Sequence, residues 1–202
     1  MVARQKIKWG GNAMKKVFIH PISKEKALCL SSQFFDEDIR FLASEGIHKV
    51  IITDEYFNLE QRNLLKNLPN IPSMFFGLGT FDLQLSDFKN VNNLEINGTK
   101  GTIVFEDMNN LNNLFLVYDK GVSGIGKLSK VKVFVFRDGR DKSFNWQENF
   151  SGLMGLEKLE LTDCYLPLEL EFLSNCQQLK ELEIYLNPKP FRLQAMQRNT
   201  QL

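Results

Sequence analysis

Histidine and cysteine are scarce in this chain, whose 202 residues include two histidines and three cysteines. Metal binding and acid–base catalysis usually need several such side chains close together. Cys29, Cys164 and Cys176 are also too few and too scattered for a disulfide framework or a paired-cysteine zinc site. We therefore expect a protein without metal or other cofactors, located in a reducing compartment.

The chain also lacks an excess of charge of either sign and any long apolar run. Its 25 basic and 24 acidic residues nearly cancel, so no overall field attracts it to nucleic acid or to an anionic membrane. The segment MKKVFIHPIS has the basic start of a signal peptide, but its continuous apolar part covers Val17 to Ile19 alone. No segment reaches the length of a membrane span. We expect a cytoplasmic protein that binds neither nucleic acid nor membranes.

Apolar residues recur through the chain at intervals of roughly 20 residues. The clearest unit, LEKLELTDCYL at Leu156 to Leu166, matches the pattern L-x-x-L-x-L-x-x-N/C-x-L at every specified position. When Leu159 is taken as the anchor residue of this unit, seven similar units are found along the chain. Successive anchor residues are 22, 24, 20, 20, 17, 28 and 23 residues apart. The residues two positions after the anchors are all apolar. The predicted anchors are Leu28, Val50, Met74, Leu94, Leu114, Val131, Leu159 and Leu182.

In this pattern the chain resembles the leucine-rich repeat family, in an irregular short-repeat form of bacterial type, over roughly residues 25 to 187. The resemblance implies an α/β solenoid of about eight rungs that forms a horseshoe arc. A parallel sheet would line its concave side, with short helices and turns on the convex side. Residues 35–46, 58–68 and 168–176 are predicted helices, and the middle rungs are predicted to use turns or 3₁₀ segments.

Three parts of the chain are predicted from these features. Residues 1–16 form a basic, flexible extension, because they carry five basic residues and no acid. Residues 17–188 form the leucine-rich-repeat domain, and residues 189–202 form a C-terminal tail or cap. The long interval between Val131 and Leu159 indicates an inserted loop that contributes Trp146 to binding.

One stretch indicates an alternative, nucleotide binding. Gly121, Gly126 and Lys127 have the spacing of a phosphate-binding loop and follow the apolar run LFLVY. However, Leu128 replaces the Ser or Thr that would bind magnesium, and the following KVKVFVF predicts a strand rather than a helix. These glycines are therefore predicted turn residues. A Cys29–His48 catalytic pair is a weaker alternative, because no third group accompanies it.

The functional surface is expected on the exposed face of the sheet, since the inward positions are needed for packing. Phe75, Phe115, Val117 and Phe134 would form an apolar centre, and Glu95, Glu160 and Glu183 an acidic flank suited to a basic partner. The predicted partner-binding residues are Ile51, Phe75, Glu95, Phe115, Val117, Lys132, Phe134, Glu160, Glu183 and Tyr185.

The resemblance implies a non-catalytic module for protein–protein interaction, acting as a monomer or in a heterodimer. A narrower hypothesis is an inhibitor that neutralises a toxic enzyme, as an immunity protein does. The alternatives are a small nucleotide-binding enzyme that uses the Gly121–Lys127 loop, and a fragment of a larger leucine-rich-repeat receptor.

Overall fold

The computed structural model describes residues 5–7, 15–19, 26–30, 40–42, 44–52, 63, 71–77, 79–106 and 108–192. Short strands dominate the described residues. In chain order they are β1 (Gln5–Ile7), β2 (Lys15–Ile19), β3 (Lys26–Leu30), β4 (Lys49–Ile52), β5 (Ser73–Phe76), β6 (Gly79–Thr80), β7 (Leu83–Gln84), β8 (Asn93–Ile96), β9 (Thr99–Lys100), β10 (Ile103–Val104), β11 (Asn113–Val117), β12 (Val122–Ser123), β13 (Val133–Arg137), β14 (Lys158–Thr162) and β15 (Glu181–Tyr185).

One long sheet organises the described part of the chain. Its strand order is β1-β2-β3-β4-β5-β8-β11-β13-β14-β15. The eight strands from β3 to β15 pair in parallel, while β1 and β2 join the N-terminal edge in antiparallel pairing. The expected parallel sheet of eight rungs is thus confirmed. Strands β1 and β2 continue the sheet across residue 16, and the division of the chain at that point stays a prediction.

Alternate residues of each parallel strand face a continuous apolar core. A single strand cannot bury its inward side chains alone, so each rung depends on the next one. The residues at the first inward position, which face one another across the strands, are Leu28, Val50, Met74, Leu94, Leu114, Phe134, Leu159 and Leu182. Seven of the eight predicted anchors are therefore confirmed.

The anchor of the sixth rung is Phe134, and the predicted anchor Val131 is wrong. Phe134 pairs with Leu114 and with Leu159 in the register of the sheet. Val131 is also fully buried, but it lies before β13, where Leu111 and Leu156 lie in the neighbouring rungs. The corrected spacings are 20 and 25 residues in place of 17 and 28, so that all spacings lie between 20 and 25 residues.

The convex side of the middle rungs carries short strands and single turns of 3₁₀ helix. Strands β7, β10 and β12 form a three-stranded parallel sheet there, and β6 pairs with β9. The 3₁₀ helices are Leu85–Phe88, Ile125–Lys127 and Glu171–Leu173. The prediction of turns and 3₁₀ segments in the middle rungs is confirmed, but the small convex sheet was not foreseen.

The three predicted helices are confirmed only in part. The last one, at residues 168–176, contains a single 3₁₀ turn and is otherwise not helical. Residues 40–42 and 44 of the first are helical, and the second lies outside the described residues apart from Asn63. In the segment 168–176, Leu170, Leu173 and Cys176 are buried at intervals of three residues, which is the period of a 3₁₀ helix rather than of an α-helix.

An aromatic cluster fills the core at the sixth and seventh rungs. Helix Trp146–Phe150 is capped by Asn145, whose side chain accepts a hydrogen bond from Glu148 N. Trp146 packs against Phe136 and Phe172, and its indole N–H donates to Tyr165 O at 3.1 Å. The expected binding role of Trp146 on an inserted loop is wrong, because the side chain is buried and its polar group is satisfied within the core.

The corrected register predicts that Phe134→Ala strongly destabilises the protein. Phe134 is fully buried and contacts the rings of Phe136 and Phe150, so we expect a loss of about 3–5 kcal/mol in the free energy of unfolding. The matched control is Lys132→Ala, which removes an exposed ion pair to Glu157 and should cost less than about 1 kcal/mol. Urea unfolding measures both. Similar losses for the two variants would contradict the register.

Candidate binding surface on the concave face of the sheet

The concave face is the side of the main sheet that points away from the core. Three rows of side chains cross it. The first row contains Ala27, Lys49, Ser73, Asn93, Asn113, Val133, Lys158 and Glu181. The second contains Cys29, Ile51, Phe75, Glu95, Phe115, Val135, Glu160 and Glu183. The third, at the C-terminal ends of four strands, contains Val117, Arg137, Thr162 and Tyr185.

Apolar side chains occupy the centre of this face. Phe75 and Phe115 lie in the second row on either side of Glu95, and Val133, Val135 and Val117 adjoin them. These five side chains are half-buried and therefore accessible to a partner. Ile51, which lies next to Phe75 in the second row, is buried. We call the residues Phe75, Phe115, Val117, Val133 and Val135 the apolar centre.

Two of the predicted binding residues do not lie on this face. Phe134 is fully buried in the core, and Lys132 lies on the loop before β13, where it pairs with Glu157 at 3.2 Å. Both errors follow from the misplaced anchor Val131, since a shift by three residues exchanges the two faces of a strand. The concave positions of the sixth rung belong to Val133, Val135 and Arg137.

The other eight predicted residues lie on the concave face. Ile51, Phe75, Glu95, Phe115 and Val117 lie together on β4 to β11, whereas Glu160, Glu183 and Tyr185 lie on the last two strands. The concave positions of Lys49, Ser73, Asn93, Asn113 and Lys158 were missed, although each comes one residue before an anchor and could have been found from that spacing.

The charged side chains in the C-terminal third of the concave face form ion pairs with one another. Arg137 Nη2 lies 2.9 Å from Glu160 Oε1, and its guanidinium lies over the Phe115 ring, 5.0 Å from the centroid. Lys158 Nζ lies 2.7 Å from Glu181 Oε2 and 2.8 Å from Glu183 Oε1. The hydrogen bond from Lys158 lowers the pKa of Glu183. Two of the three glutamates of the predicted acidic flank are thus already paired.

Glu95 differs from those two glutamates. Within the described part of the chain it makes no ion pair, and in the register of the sheet it lies between Phe75 and Phe115 of the apolar centre. Beside it, a depression of about 180 Å³ opens on the concave face. The residues of the first two rows that line it are Lys49, Ser73, Asn93, Glu95, Asn113, Phe115, Val133 and Val135.

The Gly121–Lys127 loop has a structural role in the convex turns. A β-carbon at Gly121 would clash with the carbonyl oxygen of Gly101 in the preceding rung, and one at Gly126 would clash with Glu148 O. Gly124 has φ of 80°, a left-handed conformation that favours glycine. Lys127 Nζ pairs with Glu106 at 3.1 Å, and the next element is strand β13 rather than a helix. Close rung packing therefore explains the glycines.

Other catalytic arrangements fit the geometry no better. The register places Lys49 opposite Ala27, so His48 lies level with Lys26, about 10 Å along the strand from Cys29. The sheet therefore does not bring Cys29 and His48 together. Among the described residues, no three His, Cys, Asp or Glu side chains are close enough to hold a metal ion. None of the described helices is both long and apolar enough to cross a bilayer.

Two solved structures of Listeria monocytogenes proteins are similar to this fold. Internalin C2 aligns over 87% of this chain and 77% of its own, with a TM-score of 0.59 and 15% sequence identity. An internalin of the inlF type aligns over 81% of this chain and 48% of its own, with a TM-score of 0.53 and 12% identity. No known family and no curated protein matches the sequence. The likeness and the parallel sheet show a leucine-rich-repeat solenoid.

For the glycine loop, we predict that Gly121→Ala destabilises the protein while Lys127→Ala does not. The new methyl group must displace the backbone of Gly101, at a cost of about 1–3 kcal/mol, whereas the exposed Lys127–Glu106 pair contributes less than about 1 kcal/mol. Magnesium and ATP should leave the melting temperature of the wild type unchanged. A rise in melting temperature that Lys127→Ala abolishes would instead support nucleotide binding.

For the cysteines, we predict that Cys164 and Cys176 are inert in the folded protein. Burial raises the pKa of the Cys164 thiol to about 11 and that of Cys176 to about 12, so the reactive thiolate is scarce near neutral pH. Alkylation followed by mass spectrometry should leave both unmodified until denaturant is added. Rapid modification of either one in the native protein would contradict the burial.

Proposed function

We propose that the chain is a non-catalytic protein-binding module whose concave face holds a protein partner through the apolar centre. The observation that supports this most strongly is the group of accessible aromatic and branched side chains at Phe75, Phe115, Val117, Val133 and Val135. Apolar side chains in the middle of a surface, with charges around them, form the usual core of a protein interface. The inward side chains beneath them pack into one apolar core.

The distribution of charge supports a central contact. On the C-terminal strands the charges are satisfied within the chain, so a partner would gain little from pairing with them and would have to break existing pairs. Glu95 lies between Phe75 and Phe115 of the apolar centre, and it has no ion pair within the described residues. A basic group of the partner is therefore proposed at Glu95 rather than along an acidic flank.

A narrower proposal concerns the kind of partner. We propose that the chain blocks an enzyme by covering it, as an immunity protein blocks a toxin, and that it does so in the cytoplasm as one half of a heterodimer. Blocking requires a rigid, complementary surface and no catalytic group of its own. The accessible apolar centre on the concave face supports this proposal.

The test is affinity capture from an extract of the cells that produce the chain. The wild type is compared with Phe115→Glu combined with Val135→Glu, which places two charges in the apolar centre. The control is Met154→Glu, which adds a charge at a residue that is 60% exposed and lies outside the sheet. We expect a partner that the wild type and the control retain and the double variant loses by more than about tenfold in affinity.

Circular dichroism and urea unfolding must show that the double variant is folded. A partner that binds all three proteins equally would exclude the apolar centre as the interface. For the narrower proposal, the captured partner is purified and its enzymatic activity is measured. Inhibition by the wild type but not by the double variant is expected, and full activity in the bound state would contradict the inhibitor role.

A further inference from the structure

The depression on the concave face is bordered by two charges of opposite sign that do not pair with each other. Lys49 on β4 and Glu95 on β8 both line it. Strand β5 separates them and Glu95 lies two residues further along the sheet than Lys49, so their backbones are about 12 Å apart. Within the described part of the chain neither residue makes an ion pair, whereas Lys158 and Glu160, in the same two rows, are both paired.

Lys49 is the more unusual of the two. It is 8% exposed, although lysine is rarely buried without a partner. Among the described residues, the side-chain nitrogen and oxygen atoms that are sealed from solvent and lack a partner are Arg137 Nε and Asn187 Oδ1. Lys49 Nζ is not one of them. Within the described part of the chain Lys49 Nζ also has no ion pair, so the ammonium group is in contact with solvent, and Lys49 lines the depression.

Neighbouring polar groups extend this positive end of the depression. Ser73, also 8% exposed, lies beside Lys49 in the first row, and Asn93 follows on the next strand. The Asn113 side-chain amide donates a hydrogen bond to Asn93 Oδ1, which fixes the orientation of both amides. An ammonium, a hydroxyl and amide groups together suit a carboxylate.

The negative end has a different character. Glu95 lies between Phe75 and Phe115 in the second row. A carboxylate between phenyl rings suits an ammonium or guanidinium group, which the carboxylate attracts and the ring faces also favour. Arg137 lies over the Phe115 ring in this way within the chain itself.

We propose that the depression receives two oppositely charged side chains from one extended segment of a protein partner, an acidic one at Lys49 and a basic one at Glu95. This inference rests on the proposed function and names the chemistry of the partner at that site. Alternate side chains of an extended segment are about 7 Å apart. An acidic and a basic residue two to four positions apart therefore span the distance between the two charges.

The probe is a phage-displayed library of random linear peptides, selected on the wild-type protein. Bound peptides are eluted and tested individually against Lys49→Met and Glu95→Gln. The matched controls are Lys158→Met and Glu160→Gln, which remove charges of the same rows that are already paired. We expect selected peptides enriched in an acidic and a basic residue two to four positions apart. Their affinity should fall about tenfold in either test variant and change little in either control.

A variant in which the two charges of the depression are exchanged tests the same assignment in the opposite direction. The variant Lys49→Glu with Glu95→Lys should lose the selected peptides and should bind versions in which acidic and basic residues are exchanged. Circular dichroism establishes that each variant is folded. Because Lys49→Met keeps the buried stem apolar, it stays informative if Lys49→Glu does not fold.

The other outcomes separate this inference from the proposed function. Peptides that lose binding in the Phe115→Glu, Val135→Glu variant but bind Lys49→Met and Glu95→Gln as well as the wild type would overturn the charge pairing and leave the proposed function intact. Peptides indifferent to the Phe115→Glu, Val135→Glu variant would overturn both. A selection that enriches no peptide on the wild type relative to that variant would also count against both.

Discussion

The structure depends on the alternation of side chains along short parallel strands that are held in one register. Each strand has only a few residues, and its inward side chains are buried only if the neighbouring strands place theirs at the same height. The first inward row runs from Leu28 to Leu182 without interruption. This row fixes the outward rows as well, because a residue next to an inward one must face the other side. The binding surface is therefore a consequence of how the core is aligned.

This dependence explains why most of the fold could be predicted from the sequence. Buried positions require apolar side chains, and their recurrence at about 20 residues is visible without any structure. It identified eight strands and seven of the eight anchors. The convex side was less predictable, since its short strands β7, β10 and β12 have two residues each and too few positions to show a period. Their alignment comes from contacts between rungs, such as the close approach of Gly121 to Gly101.

The sixth rung shows where apolar periodicity fails as a guide. In KVKVFVF, valines alternate with lysines and then with phenylalanines, so both phases of the strand are apolar. The sequence alone favours neither phase, and a shift by three residues exchanges the faces. The aromatic rows decide it in the structure: Phe134 and Phe136 pack with Phe150 in the core, and the smaller Val133 and Val135 remain on the concave face. An apolar outward row is itself a sign of function, because water-facing positions have no packing need for it.

The charged residues could not be assigned from the sequence for a related reason. Whether Glu160 or Glu183 is available to a partner depends on which cation lies beside it on the next strand, and that requires the register. Once Phe134 is the anchor, Arg137 falls next to Glu160, and Lys158 falls next to Glu181 and near Glu183. The same register leaves Glu95 between two phenylalanines and Lys49 beside Ala27 and Ser73, with no opposite charge on an adjacent strand. Charges that are paired within a chain resist a partner, because binding removes water from them without adding a new pair. The cross-strand contacts thus divide the concave face into two parts. In the C-terminal part the charged side chains are paired within the chain, whereas the central part presents to a partner apolar side chains and charges that are unpaired among the described residues.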